Sequence, residues 1–123
     1  MPVATLAEAP EFTLGDAVFR PLAVPSRGST ELAVWALDLA PGMTGEAHSL
    51  DREEVLVIHS GQVSARVGIQ DIEAGPGDAV IVPPDTSFTL RNPGAEPVRA
   101  TAMITAGCLA TLGDRTFSPP WSL

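Results

Sequence analysis

Residues 42–61 read Gly42-Met43-Thr44-Gly45-Glu46-Ala47-His48-Ser49-Leu50-Asp51-Arg52-Glu53-Glu54-Val55-Leu56-Val57-Ile58-His59-Ser60-Gly61. The second half of this stretch decides the fold class. Glu53–His59 has no proline or glycine and is rich in Val, Ile and Leu, the composition of a strand. Side chains alternate across a strand, so one face carries Glu54, Leu56 and Ile58 and the other Glu53, Val55, Val57 and His59. Both faces are apolar enough to be covered. A second sheet covers one and a partner subunit the other, which points to a homodimer. The competing reading is a strand in the middle of one packed sandwich.

Outward from this strand the same grammar repeats. Eleven Gly and twelve Pro are spread along the 123 residues and leave few windows long enough for a helix. Between them Val18–Val24, Leu32–Leu39, Val63–Ile69, Ala79–Val82, Ser87–Arg91 and Val98–Leu109 read as strands. Gly61, Gln70-Asp71, Gly75-Pro76-Gly77, Pro83-Pro84-Asp85 and Asn92-Pro93-Gly94 read as turns. Seven or more strands at short spacing predict an all-β sandwich or barrel. Residues 1–15 carry Ala, Leu and Glu and read as a short helix or an arm. There is no repeat and no linker, so residues 1–123 are expected to form one domain.

Seven basic residues, all Arg, stand against fifteen acidic ones, a net charge of −8. Phosphate backbones and anionic membranes are held by basic patches, so neither nucleic acid nor membrane is an expected partner. Cys108 is the only cysteine, which excludes an intrachain disulfide and a thiolate metal cage and suits a small buried residue. Met1–Leu6 has no basic leader followed by an apolar run, and no apolar stretch approaches membrane-spanning length. A cytoplasmic protein is the expectation.

Two spaced patterns carry a family resemblance. Residues 42–61 resemble the first motif of the cupin family, G-x5-H-x-H-x3-4-E-x6-G, with Gly42, His48, Glu54 and Gly61 in place. Residues 77–92 resemble the second, G-x5-P-x-G-x2-H-x3-N, with Gly77, Pro83 and Asn92 in place. The ending Phe117-Ser118-Pro119-Pro120-Trp121 is similar to the tail of many small single-domain cupins. The resemblance implies a double-stranded β-helix, a jelly-roll barrel, with a small-molecule site in its mouth.

The departures bear on function. The resemblance implies a metal held by three His and one Glu. Here the second histidine position is Leu50, the third is Phe88, and the glycine of motif two is Asp85. Only His48 and Glu54 remain as ligands for Fe, Mn, Ni or Zn. Catalytic zinc keeps three protein ligands and the non-haem iron triad needs two His and a carboxylate, so no resident metal is expected. His59 lies five residues past Glu54, on the opposite strand face, and is no replacement.

Without a metal, His48 and Glu54 in an apolar mouth form a proton-transfer pair. The simpler alternative is a pair that only hydrogen-bonds and packs. Leu50, Phe88 and Met43 line the mouth. Trp35 shares parity with Leu37 and Leu39 and is core or pocket wall. Arg66 alternates with Ser64 and Gly68 and is a pocket anion anchor or a solvated side chain. Three functions follow: a metal-free acid/base enzyme of isomerase or cyclase type on a small metabolite, a non-catalytic binding or sensing module, and a metal-dependent cupin such as a dioxygenase with an incomplete ligand set.

Overall fold

The strand around Glu54 lies second from the edge of an antiparallel sheet. The computed structural model describes residues 2–123. Its strands are β1 (Phe12–Leu14), β2 (Ala17–Pro21), β3 (Leu32–Leu39), β4 (Ser49–Leu50), β5 (Glu54–Ser60), β6 (Val63–Val67), β7 (Gln70–Ala74), β8 (Ala79–Val82), β9 (Phe88–Arg91), β10 (Val98–Thr105), β11 (Ala110–Leu112) and β12 (Arg115–Phe117). A six-stranded sheet has the order β1-β2-β3-β10-β5-β8, and two three-stranded sheets run β12-β11-β4 and β7-β6-β9. Single bridges Thr44↔Arg91 and His48↔Phe88 join the two small sheets into one opposing layer. This is the jelly-roll arrangement.

The inward faces follow the period-2 pattern. Ala33, Trp35, Leu37 and Leu39 of β3 are buried with Leu56 and Ile58 of β5 and Ala100, Ala102 and Ile104 of β10. Ala102 stands opposite both Trp35 and Leu56, so a small side chain leaves room for the indole. Phe88, Leu50, Val63 and Ala110 of the opposing layer close the same core. Burying side chains of this size contributes about 1.5–3 kcal/mol each.

The outward face of the large sheet is different. Ile81, Val55, Met103 and Val34 line up as cross-strand neighbours over β8, β5, β10 and β3. Ile81 is 61% exposed, and the other three are half-buried.

Several expectations are corrected. No helix forms in residues 2–15, and Met1 lies outside the described residues. Pro2 and Pro10 bracket too few residues for a stable helix, so the segment makes one turn (Ala9 N–H to Leu6 O, 3.1 Å) and then β1. The expected strand 98–109 stops at Thr105 because Gly107 takes φ +85°, and a β11–β12 hairpin follows. The turn read at Gln70-Asp71 falls two residues earlier, since Val67 pairs with Gln70 and β7 begins there. Among the described residues no helix is long and apolar enough to cross a membrane.

Candidate functional site

The two spaced motifs meet through backbone hydrogen bonds. His48 N–H donates to Phe88 O (3.0 Å) and Phe88 N–H to His48 O (2.8 Å). Upstream, Gly45 N–H reaches Leu90 O and Gly42 N–H reaches Asn92 O, both at 2.8 Å. Asn92 is fully buried and knots this corner: its amide donates to Leu39 O (3.1 Å) and Glu96 O (2.8 Å) and accepts from Gly94 N–H (3.1 Å). Asp85 N–H fixes Leu50 O at 2.7 Å. Asp85 has φ +56°, so it keeps the left-handed backbone of the glycine it replaces, a conformation Asp tolerates better than most residues. Gly61 closes the first motif at φ +83°, where an added Cβ would meet Pro97 O at 2.6 Å.

Between the layers lies a cavity of about 210 Å³. His48, Glu54, Met43, Leu50, Phe88 and Trp35 all line it. Glu54 opens β5, opposite Val82, and points inward with Leu56 and Ile58. It is 4% exposed. Burial pushes its carboxyl up to about 8, so it is mostly protonated at neutral pH. His48 sits below its usual value because burial disfavours the cation, with the hydrogen bond to the Glu46 carbonyl opposing the shift. That carbonyl, 2.9 Å from Nδ1, only accepts. The neutral ring therefore carries its proton on Nδ1 and leaves a lone pair on Nε2. Phe88 tilts against the imidazole at 47°, with centroids 4.2 Å apart. One cavity thus holds an uncharged proton donor and an uncharged proton acceptor.

Other sequence-derived residues fall elsewhere. Arg66 does not line the cavity. It is exposed on β6, pairs with Asp71 at 3.0 Å, and belongs with Thr44, Thr89 and Arg91 to a separate shallow depression. Strand parity carries Arg66 outward. His59 is exposed on the outward face, its Nε2 2.6 Å from Thr101 Oγ1. Trp35 is buried and lines the cavity, and its Nε1–H has no hydrogen-bond partner among the described residues.

The structure adds residues that spacing alone did not indicate. Phe19 and Trp121 stack with centroids 3.8 Å apart and 12° between planes, and both line the cavity with Phe117. Trp121 belongs to a 3₁₀ turn, Pro120–Ser122, that packs on its own chain. Asp16 and Glu46, both exposed, also contribute to the lining. The available signals were the parity of Phe19 within Val18–Val24 and the resemblance carried by the ending Phe117–Trp121.

The donor set does not fit the metal that the motifs imply. Leu50 and Phe88, 5% and 1% exposed, fill two of the ligand positions with hydrocarbon. Among the described residues no three His, Cys, Asp or Glu are grouped to hold an ion.

The family model described as "Cupin domain" matches residues 35–104. No curated protein sequence matches the chain at a significant level. Among solved structures, the polyketide cyclase RemF from Streptomyces resistomycificus is similar at 13% identity and TM-score 0.80, over 98% of this chain and 88% of that one. A sugar phosphate isomerase of the cupin superfamily from Silicibacter pomeroyi is similar at 16% identity and TM-score 0.74, over 93% of this chain and 83% of that one. An oxalate decarboxylase variant from Bacillus subtilis is similar at 16% identity and TM-score 0.74, over 82% of this chain and 28% of that one. At these identities the likeness is one of fold.

Proposed function

The chain belongs to the cupin family, and we propose that it is a metal-free acid/base enzyme of isomerase or cyclase type acting on a small, largely apolar metabolite. One observation carries this reading: Glu54, mostly protonated, and His48, neutral with a free Nε2, share one cavity. In the reaction, His48 Nε2 takes a proton from the carbon beside a carbonyl. Glu54 gives its proton to the carbonyl oxygen, and the substrate becomes an enol. Where that enol is conjugated to a further C=C, His48 returns its proton at the far carbon, the enol O–H goes back to Glu54, and the double bond has moved. Attack of the enol carbon on a second carbonyl of the same molecule closes a ring. Leu50, Phe88, Met43 and Trp35 hold the substrate and keep water out. Two fold relatives, a polyketide cyclase and a sugar phosphate isomerase, fall in the same two reaction classes.

The test uses 2-tetralone in D2O, with α-proton exchange followed by NMR. The protein accelerates exchange, and dialysis against a chelator leaves the rate unchanged. A rate lost to the chelator and restored by one added divalent metal would contradict the metal-free reading. Binding of 2-tetralone without exchange would make the protein a binding or sensing module instead.

The apolar row Ile81–Val55–Met103–Val34 supports a homodimer built on the outward face of the large sheet. Light scattering on the purified chain tests this directly.

A further inference from the structure

The charges around the cavity are one-sided. No Arg lines it, and the chain has no Lys. Its ionisable lining groups are His48, Asp16, Glu46 and Glu54. Arg20 is paired with Glu11 (2.6 Å) and Asp38 (2.8 Å) and Arg66 with Asp71, while Arg91, across from Thr44, lines the separate depression and not the cavity. Arg115 lies over the Phe117 ring, 5.2 Å from its centroid, and is not itself part of the lining. An anion approaching this site passes the exposed carboxylates of Asp16 and Glu46, on a chain of net charge −8, and finds no cation inside. Moving a carboxylate or phosphate out of water without a counter-charge is strongly unfavourable.

An ammonium ion fares little better. Asp16 and Glu46 stay in water, where an ion pair is worth at most about 1 kcal/mol. Glu54 is the one buried carboxyl it could reach, and ionising Glu54 there places two charges against a mainly apolar lining. What the cavity offers in quantity is ring surface: Phe19, Trp35, Phe88, Phe117 and Trp121. At about 210 Å³ it is smaller than the roughly 300–1,000 Å³ of common ligand pockets, so it suits one or two fused rings.

From this lining we infer that the site selects an uncharged one- or two-ring ketone or phenol and rejects anions and cations of the same shape. The inference rests on the cavity being the substrate site and specifies the class of molecule it takes. The ligand oxygen accepts from Glu54, a polarised C–H or O–H meets His48 Nε2, and the rings lie on the aromatic walls.

Three probes of one skeleton test it: 2-tetralone, tetralin-2-carboxylate and protonated 2-aminotetralin, at pH 7. The chain has two Trp and no Tyr, and both Trp35 and Trp121 line the cavity, so tryptophan fluorescence reports occupancy at the site itself. The ketone is expected to bind at least about tenfold more tightly than either charged probe. The double variant D16N/E46Q, altered only at exposed positions, is expected to narrow the ketone's advantage over the carboxylate by about threefold. Equal or tighter binding of the carboxylate or the ammonium would overturn the inference, and so would failure of all three to bind. Preferential ketone binding without His48-dependent proton exchange would instead sink the catalytic reading and leave the ligand class standing.

Discussion

The two faces of β5 carry opposite solutions to the same problem. Outward, His59 reaches Thr101 Oγ1 at 2.6 Å and stands in water. Inward, Glu54 is 4% exposed and its carboxyl is pushed up to about 8 by burial alone. They stand five positions apart on one strand, and the alternation of side chains separates a solvated polar group from a strained one. Stability favours the first arrangement. The second keeps a proton on a carboxyl at neutral pH, which is useful to a reaction and costly to the fold.

The sharpest way to break this contrast is Glu54→Gln. Proton exchange on 2-tetralone is expected to fall by about 10²–10⁴-fold, the usual worth of a positioned acid. Stability moves the other way. Between the unfolded value of 4.5 and the folded value of about 8, the folded state holds the extra proton. Wild-type stability therefore falls as pH rises through that window, by roughly 3–5 kcal/mol in all. The variant has no such slope. Urea unfolding at pH 5, 7 and 8.5 reads the difference, and parallel pH profiles for the two proteins would refute the strained carboxyl.

His48→Ala is expected to lower exchange by about 10²–10³-fold. The wild-type rate is bell-shaped in pH. Its alkaline limb falls through about 8 as Glu54 ionises, and its acid limb lies below the ordinary histidine value because burial lowers His48. The same burial makes His48 cost stability as pH drops below 6.5, since the unfolded chain then takes up the proton first. A pH–rate profile of each variant separates the limbs: Glu54→Gln removes the alkaline one and His48→Ala the acid one.

On the outward face the expected effect is on assembly. Ile81→Arg places a charge in the apolar row at a residue 61% exposed. It is expected to turn the proposed dimer into a monomer by light scattering, with exchange retained and folding stability changed by no more than about 0.5 kcal/mol. Loss of exchange with the dimer would tie the two faces together.

The smallest effect belongs to Asp85. Asp85→Ala is expected to cost about 1 kcal/mol because alanine dislikes a positive φ, whereas Asp85→Gly costs nothing or stabilises slightly. Thermal unfolding of both variants measures it, and equal loss in both would mean that the Asp85 side chain itself is needed.

Much of the fold was readable from local signals. Glycine spacing in 42–61 and 77–92 marks real turns, as Gly61 shows, and the left-handed backbone survives at Asp85 even though the glycine does not. Leu32–Leu39 and Ala79–Val82 carry strand composition with clear breaks, and their bounds match the structure. The β11–β12 hairpin was missed because residues 106–117 have no strong alternation and a glycine inside the apolar run. The cavity is less readable than the fold. Phe19 and Trp121 meet across most of the chain, and no local pattern encodes that stack. Arg66 misled for the opposite reason: strand alternation offers two faces, and a lone cation does not say which is inward.

The central claim is that Glu54 keeps its proton at neutral pH beside a neutral His48. Carbon-13 NMR of carboxyl-labelled glutamate, assigned with Glu54→Gln, measures it directly. The expected titration of Glu54 has its midpoint near 8. A midpoint near the ordinary 4.5 would mean an ionised carboxylate at pH 7 and would contradict the account.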